Sequence, residues 1–335
     1  MAVQKSLDKL AGGSAIECRD GLVGLLNAIQ KGPAEETELA AASISHVLEA
    51  LQQHLADSAV QRWGAATLEE LFRRSAIPSD MAFHATSALV SGAQANLEAI
   101  EVQRWCFSAL ACCLTVGEDD SPDRNVLAVH MLSQDAMSVI AKSIRLHSTS
   151  PSLLDCAASL VCCMVMEGGE AVADEAFQTG CLRLILSTLT ATLDKRAESN
   201  SLTADASLQQ ACLRALWAIC ESNGELGATE IAADDGFESI ISILAQDQGN
   251  AEVHKWCASL LQSLLAQGGD LVAESAMLAM AAEALVASIA MFRTDLDVIE
   301  RCAAALATLA AYGPDAAVSV LEAGGHLLTS GFEIV

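Results

Sequence analysis

The most reactive side chains in this sequence are those of its 12 cysteines. Two adjacent pairs, Cys112-Cys113 and Cys162-Cys163, stand at matching places in two similar stretches. Thiolates bind zinc and act as nucleophiles, so a metal site and a thiol-dependent enzyme are the chemical hypotheses. Neighbouring helical residues point about 100° apart, and no CxxC motif completes a ligand set; His254, three residues before Cys257, comes closest. We therefore expect buried, reduced thiols and no metal.

Signatures of other enzyme classes are missing from the sequence. It contains no GxxxxGK[ST], GxSxG or HExxH motif. Its Gly-Gly pairs lie between predicted helices, where they end helices rather than hold phosphate. The acidic pairs Glu69-Glu70 and Asp119-Asp120 are expected to lie on the surface. We therefore expect a protein that is not an enzyme and has no cofactor, and a thiol-dependent enzyme is the least favoured alternative.

A second group of residues points to binding rather than catalysis. Three tryptophans each follow a basic residue along the chain. Trp and Arg are common anchors of protein interfaces. The competing interpretation is that each tryptophan packs within the fold and each base is a solvated flank. The candidate partner-binding residues are Arg62, Trp63, Arg104, Trp105, Arg214, Lys255 and Trp256.

These candidates lie on copies of one predicted helix. The clearest copy covers residues 102–114, VQRWCFSALACCL, where a small residue, Cys106, is followed four residues later by Leu110. Successive small residues of this kind, which we call anchors, are 42, 50, 56, 45 and 45 residues apart. Self-similarity with such a period predicts a helical solenoid, in which each repeat buries its apolar face against its neighbours. The anchors are Gly64, Cys106, Cys156, Cys212, Cys257 and Cys302.

A helical wheel places each anchor on one apolar face with the residues four before, four after and seven after it. In the clearest copy this face consists of Val102, Cys106, Leu110 and Cys113. The three tryptophans stand just before their anchors, so they flank this face. We expect that flank to border the concave side of a solenoid.

Composition and charge narrow the class of partner. Hydrophobic residues make up 52% of the 335 residues and aromatic residues 4%, and the dominance of alanine and leucine favours packed helices. The net charge is −25, from 43 acidic and 18 basic residues. This charge repels nucleic acids and anionic membrane surfaces, so neither is an expected partner. It either keeps an alanine-rich surface soluble or attracts a basic partner.

Targeting signals are weak. No continuous apolar run reaches the roughly 18 to 20 residues of a membrane span, and the best candidate covers residues 302–312. The N-terminus lacks the apolar core of a secretory signal, and Ala2 rules out myristoylation. Lys5, Lys9 and Arg19, with few acids nearby, keep a mitochondrial transit peptide open. We expect an intracellular, cytoplasmic protein, with mitochondrial import as the alternative.

The chain order predicts a lead-in and a capping helix over residues 1–39, in which the first twenty residues carry little helix signal. About six repeats follow over residues 40–335, the last one incomplete. Glycine breaks such as Gly168-Gly169 and Gly268-Gly269 separate the repeats. The polar stretch at 194–205, DKRAESNSLTAD, accounts for the step of 56 residues and is expected to form a loop.

The repeats resemble armadillo repeats. VQRWCFSAL at 102–110 matches the third-helix pattern V-Q-x-x-[A/C]-x-x-x-L of this family, and DAAVSVLEAGG at 315–325 is similar to its first two helices. The resemblance covers about residues 40–335. It implies an all-α, right-handed superhelical solenoid of three-helix repeats. It also implies a non-enzymatic binding scaffold whose third helices line a concave face.

One departure from the family restricts the function. Nuclear-import adaptors of this family carry Trp two residues and Asn six residues after the anchor, whereas this chain has Ser108 and Cys112 in its clearest repeat. A nuclear-import receptor is therefore not expected. The sequence predicts a protein–protein interaction scaffold that is a subunit or adaptor of a larger assembly. The alternative is an acidic-groove adaptor that captures a basic peptide or cargo segment.

Overall fold

The computed structural model describes residues 2–32, 42, 44–74, 79–115, 124–198, 204–233, 236–246 and 249–324. Within these ranges the chain forms 18 helices and no strand, which confirms the all-α prediction. It divides into two compact units, Met1–Glu175 and Ala176–Val335. The predicted surface pair Asp119-Asp120 and the last residue of the 315–325 signature lie outside the described residues.

The described part of the first unit consists of nine helices and the start of a tenth. They are α1 (Ala2–Leu10), α2 (Ala15–Lys31), α3 (Ile44–Gln53), α4 (Ser58–Arg73), α5 (Ser79–Ala95), α6 (Ile100–Thr115), α7 (Arg124–Ser133), α8 (Ala136–Leu146), α9 (Pro151–Gly168) and α10 (Glu170–Gln178), which contains the boundary.

The second unit continues from α10 with further helices of similar length. They are α11 (Cys181–Glu198), α12 (Ala204–Asn223), α13 (Glu225–Ala233), α14 (Gly236–Gln246), α15 (Ala251–Leu278), α16 (Ala281–Met291), α17 (Leu296–Ala310) and α18 (Pro314–Glu322).

Copies of the predicted helix pack side by side within the first unit. They are α4, α6 and α9, and α6 packs against both of the others. The predicted apolar face of α6 is confirmed, because Val102, Cys106 and Leu110 are each 1% exposed and Cys113 is also buried. Burial of apolar surface stabilises by about 25 cal/mol per Å², so this face holds the neighbouring copies together.

The second unit repeats this packing. Its copies are α12, α15 and α17, and α15 packs against both of the others. Their anchors Cys212, Cys257 and Cys302 are fully buried. A small anchor lets a neighbouring helix approach closely, and Gly64 of the first unit shows the limit: a Cβ there would lie 2.4 Å from Cδ2 of Leu51.

The glutamine of the V-Q signature ties its helix to the preceding one. Nε2 of Gln103 donates to the carbonyl oxygens of Ala93 at 2.6 Å and Asn96 at 2.9 Å, where α5 ends. Gln61 on α4 makes the same pair of bonds, at 2.7 and 3.1 Å, to carbonyls where α3 ends. The last carbonyls of a helix have no partner within it, so these glutamines act as C-terminal caps.

The Gly-Gly breaks end helices as predicted. Gly169 follows α9 with φ of 64°, and Gly269 interrupts the helical run of α15 with φ of 70°. Such left-handed φ values favour glycine. Packing fixes the first glycine of each pair, because a Cβ at Gly168 or Gly268 would lie 2.3 Å from the valine four residues later.

The first twenty residues are not a weakly helical lead-in, so that prediction is wrong. Val3, Leu7 and Leu10 of α1 are buried, and α1 packs against α2. Ser14 caps α2: its Oγ accepts the backbone N–H of Glu17 at 3.3 Å and donates to the Glu17 carboxylate at 2.5 Å. The spacing Ser-x-x-Glu is that of a capping box, and this was the overlooked signal.

The described ends of the expected loop over residues 194–205 are helical, so that prediction is wrong for residues 194–198 and 204–205. Helix α11 continues to Glu198, and α12 begins at Ala204. Residues 199–203 lie outside the described ranges. The stretch contains alanine, lysine, arginine and glutamate, which are good helix formers, so polar composition alone did not predict a loop here.

One helix, α9, has the length and apolar composition of a membrane span. The sequence prediction missed it because Asp155 and Glu167 interrupt its apolar run. Of this helix, 61% is buried inside the protein, as in the core helix of a globular fold, so it is weak evidence for a membrane. A second span would require Ala251–Met277 and Ala281–Met291 to count as one despite a bend of 82°.

Replacing the buried Gln103 by leucine should destabilise the protein by about 2 kcal/mol, since a buried polar group that loses its hydrogen bond costs about 1 to 3 kcal/mol. The matched control is Gln94→Leu, at an exposed position of α5. Equilibrium urea denaturation measures both variants. Equal unfolding midpoints for the two would contradict the capping role of Gln103.

Candidate functional site

The candidate residues of the first unit form two stacked Arg–Trp pairs. Cζ of Arg62 lies 4.9 Å from the ring centroid of Trp63, and Cζ of Arg104 lies 4.6 Å from that of Trp105. The pairs lie on the neighbouring helices α4 and α6, and all four residues are half-buried. Burial of the anchor face places the preceding residue at the edge of the helix packing, where an arginine can lie over an indole.

One carboxylate forms ion pairs with both of these arginines. Glu101, in the first turn of α6, lies 2.9 Å from Nη2 of Arg104 and 3.6 Å from Nη2 of Arg62. The hydrogen bond from Arg104 lowers the pKa of Glu101, and the charge of Arg62 adds to this effect. The indole N–H of Trp105 also faces this carboxylate, but outside normal hydrogen-bond geometry. The two stacked guanidiniums of the first unit therefore share one carboxylate within the chain.

The second unit places two arginines on one tryptophan. Cζ of Arg214 on α12 and Cζ of Arg301 on α17 lie 5.3 and 5.6 Å from the ring centroid of Trp256 on α15. The indole of Trp217 packs on the same ring at 5.4 Å. Nη1 of Arg301 donates to Oγ of Ser259 at 2.5 Å, which holds its guanidinium in place. Three neighbouring helices thus converge on Trp256.

Lys255 is engaged differently from the arginines that precede tryptophans in the first unit. Its Nζ lies 3.0 Å from Glu252, 3.3 Å from Asp297 and 3.7 Å from Asp295. The hydrogen bond to Glu252 raises the pKa of Lys255 above its ordinary value. Lys255 therefore offsets part of the charge of these three acids, and it makes no stack with Trp256 among the described contacts.

Glu101, Trp217 and Arg301 belong to these clusters but were not predicted from the sequence. Arg301 stands just before the anchor Cys302, the position that the three candidate tryptophans occupy. The repeat pattern could therefore have identified it as a candidate. Glu101 lies three residues before Arg104, a spacing that favours an ion pair on a helix. Trp217 gave no comparable signal, since it stands five residues after its anchor.

The prediction that Glu69-Glu70 is a surface pair is wrong. Glu69 is 4% exposed and Glu70 is 7% exposed. Glu70 pairs with Arg73 at 3.0 Å and with Arg74 at 2.8 Å, and Glu69 also pairs with Arg73. These ion pairs offset the cost of removing two carboxylates from water. One oxygen, Oε2 of Glu69, is buried and has no hydrogen-bond partner.

The cysteines are thiols in protected surroundings. None of the twelve forms a disulfide bond; Cys112 and Cys156 are half-buried and the others are buried. In the described part of the chain, no group of three or more His, Cys, Asp or Glu side chains could hold a metal ion. Burial raises the pKa of Cys106 to about 12 and that of Cys112 to about 11. Such thiols stay protonated at neutral pH and are weak nucleophiles.

Two serine–histidine pairs come closest to a catalytic arrangement. Nδ1 of His254 lies 2.9 Å from Oγ of Ser288, and Ser288 is 1% exposed, so substrate has no access to it. Oγ of Ser87 lies 2.8 Å from Nε2 of His130. No described carboxylate partners His130, so this pair lacks the third group that orients a catalytic histidine.

Comparison with known proteins adds no family assignment. The chain matches no protein-family model, and a search of curated proteins found no match. Membership of the armadillo family is therefore a proposal. It depends on the repeated residue pattern of the sequence.

The buried thiols predict a loss of stability at alkaline pH. A thiol has an ordinary pKa of 9.0, and burial raises the pKa of Cys106 and Cys302 to about 12. A pKa that is raised on folding gives a contribution fully present below pH 9.0 and lost as the pH rises towards 12. The melting temperature should therefore fall progressively above pH 9.

The control for this prediction is Cys106→Ala. It should melt at a lower temperature than the wild type near neutral pH, because it leaves a cavity. Its melting temperature should then fall less steeply above pH 9, because one titrating thiol is gone. An alkaline slope identical to that of the wild type would contradict the assignment to buried thiols.

Proposed function

We propose that this chain is a non-enzymatic scaffold for protein–protein interaction, built from armadillo-type repeats and acting as a subunit or adaptor of a larger assembly. The repeated anchors and the side-by-side packing of helix copies support the repeat architecture. One observation carries the function: tryptophans recur just before the anchors, half-buried, each with at least one guanidinium over its ring.

The physical case for binding lies in how these tryptophans are held. On α6, Val102 and Leu110 are 1% exposed, whereas Trp105 keeps part of its ring open. A large aromatic side chain that is already fixed by packing loses little conformational entropy when a partner covers it. The stacked arginine restricts the ring further and offers hydrogen-bond donors beside it. This combination is typical of interface hot spots.

A second candidate is an adaptor that captures a basic segment. The observation that favours it is Oε2 of Glu69, which is buried without a hydrogen-bond partner. A basic side chain entering beside Arg73 would supply that hydrogen bond. The net charge of −25 would accelerate the approach of a basic partner.

We propose an intracellular location, the cytoplasm, because twelve cysteines without a disulfide bond are typical of proteins in a reducing compartment. The mitochondrial alternative requires removal of an N-terminal segment. Such a cleavage would remove α1, whose Val3, Leu7 and Leu10 are buried in the fold. Retention of α1 is therefore the more favourable state for the folded chain.

Site-specific photo-cross-linking in the native cell extract tests the proposal. A benzophenone amino acid replaces Trp63, Trp105 or Trp256, one at a time, in the full chain, and the same substitution at the exposed Phe177 is the control. The proposal expects one protein partner to be cross-linked from the tryptophan positions and not from Phe177. Failure of all three tryptophan positions to cross-link any protein would contradict it.

Once the cross-linked partner is identified, Trp105→Ala should weaken its binding to the chain by about 2 kcal/mol or more, as hot-spot truncations do. The melting temperature should change less, because Trp105 is only half-buried. Phe177→Ala serves as the aromatic control. If Trp63→Ala, Trp105→Ala and Trp256→Ala all lower the melting temperature and leave the affinity unchanged, the tryptophans are packing residues and the proposal is wrong.

A further inference from the structure

We infer that Arg214, Trp256 and Arg301 form a binding site for an acidic, extended segment of a partner protein; this inference rests on the proposed scaffold function. The site lies wholly within the second unit, where α12, α15 and α17 bring the three side chains together.

The charges around the site are the first observation. Acidic residues outnumber basic residues 43 to 18, and seven other arginines form ion pairs with Asp or Glu. Arg214 and Arg301 form no ion pair with any described residue, although Asp297 lies one helical turn before Arg301. Asp297 pairs with Lys255 instead. Two guanidiniums are thus left for an anion from outside the chain.

In the first unit, by contrast, the arginines that stack on tryptophans have a carboxylate partner. There, Glu101 supplies the carboxylate for both Arg62 and Arg104. The stacking geometry is similar in the two units, with Arg–Trp distances of 4.6 to 5.6 Å. In the second unit the acids five residues before the anchors, as Glu101 is before Cys106, are Glu252 and Asp297, and both pair with Lys255. Neither arginine over Trp256 therefore has an ion-pair partner among the described residues, and a carboxylate from a partner would complete the same arrangement.

The spacing of the guanidiniums suits an extended peptide. Both Cζ atoms lie within 5.6 Å of one ring centroid, so twice this distance is the most that can separate them. Acidic residues two positions apart in an extended chain point to the same side and are separated by about 7 Å, which lies within that limit. Planar carboxylates also match the fork of a guanidinium in bidentate pairs.

The indoles select a peptide over other anions. Trp217 and Trp256 are half-buried and pack on each other at 5.4 Å, which gives an apolar surface beside the two charges. A side chain between two acidic residues of a peptide would lie on that surface. A nucleic acid would instead bring many phosphates against a chain with a net charge of −25.

Fluorescence anisotropy of a labelled twelve-residue peptide of alternating glutamate and alanine tests the inference on the full chain. We expect binding that weakens as salt is raised. Arg214→Gln and Arg301→Gln should each weaken it by about tenfold, because charge-assisted hydrogen bonds are lost. The matched control is Arg293→Gln, which removes the same charge from an exposed position outside the site and should leave the affinity unchanged.

Three results would overturn the inference: no binding to the wild type, undiminished binding to the Arg214→Gln/Arg301→Gln double variant, or equal displacement by inorganic phosphate, which would indicate a general oxyanion site. A matching lysine–alanine peptide that binds more tightly than the acidic one would also overturn it. None of these results bears on the scaffold proposal, which the cross-linking experiment tests. A partner cross-linked from the tryptophan positions, with an affinity that Arg214→Gln does not change, would keep the scaffold and reject the acidic-segment site.

Discussion

Helix copies in this chain depend on one another because none can bury its apolar face alone. The face of α6 is covered by α4 and α9, and the face of α15 by α12 and α17. Small anchors allow close packing, and at Gly64 a Cβ would lie 2.4 Å from Leu51 of the preceding helix α3. The other regular features follow from this packing: glutamine caps align successive helices, and glycines with left-handed φ values turn the chain between them.

The same packing determines which side chains remain available for binding. A residue just before a buried anchor lies at the edge of the contact between copies, so it is covered on one side only. Tryptophan at that position is fixed but partly open, and long arginines from the same or neighbouring helices reach its ring. Whether such a cluster attracts a charged partner then depends on the nearest carboxylate. Glu101 pairs with both stacked arginines of the first unit, whereas the two arginines over Trp256 have no carboxylate partner among the described residues.

The repeated helix and its buried face could be predicted from the sequence, because residue size and hydrophobicity recur with the repeat. The anchor positions and the apolar face of α6 could be predicted, since a period near 45 residues and helical spacing of Val102, Cys106 and Leu110 are both local patterns. Contacts between distant helices could not. Nothing near Glu69 in the sequence shows that α4 buries it, and Arg214 and Arg301 meet at Trp256 only after three helices have packed.

Polar composition led to two wrong predictions where capping residues and helix propensity indicated a helix. The first twenty residues were read by their composition, although the capping box at Ser14 marked the start of α2. Polarity suggests a loop at 194–205, although the alanines and charged residues of its described, helical ends are good helix formers. In both cases the intrinsic helix preference agreed with the fold, and polarity was the weaker guide.

Oxidative footprinting tests the central claim, that the tryptophans beside the anchors face a partner protein. Hydroxyl radicals modify exposed side chains, and mass spectrometry reads each site in the free chain and in the complex with the cross-linked partner. The account predicts that Trp63, Trp105 or Trp256 reacts more slowly in the complex, while the exposed Phe177 and Met291 react as before. Unchanged reactivity of all three tryptophans, with protection of Phe177 or Met291, would contradict it.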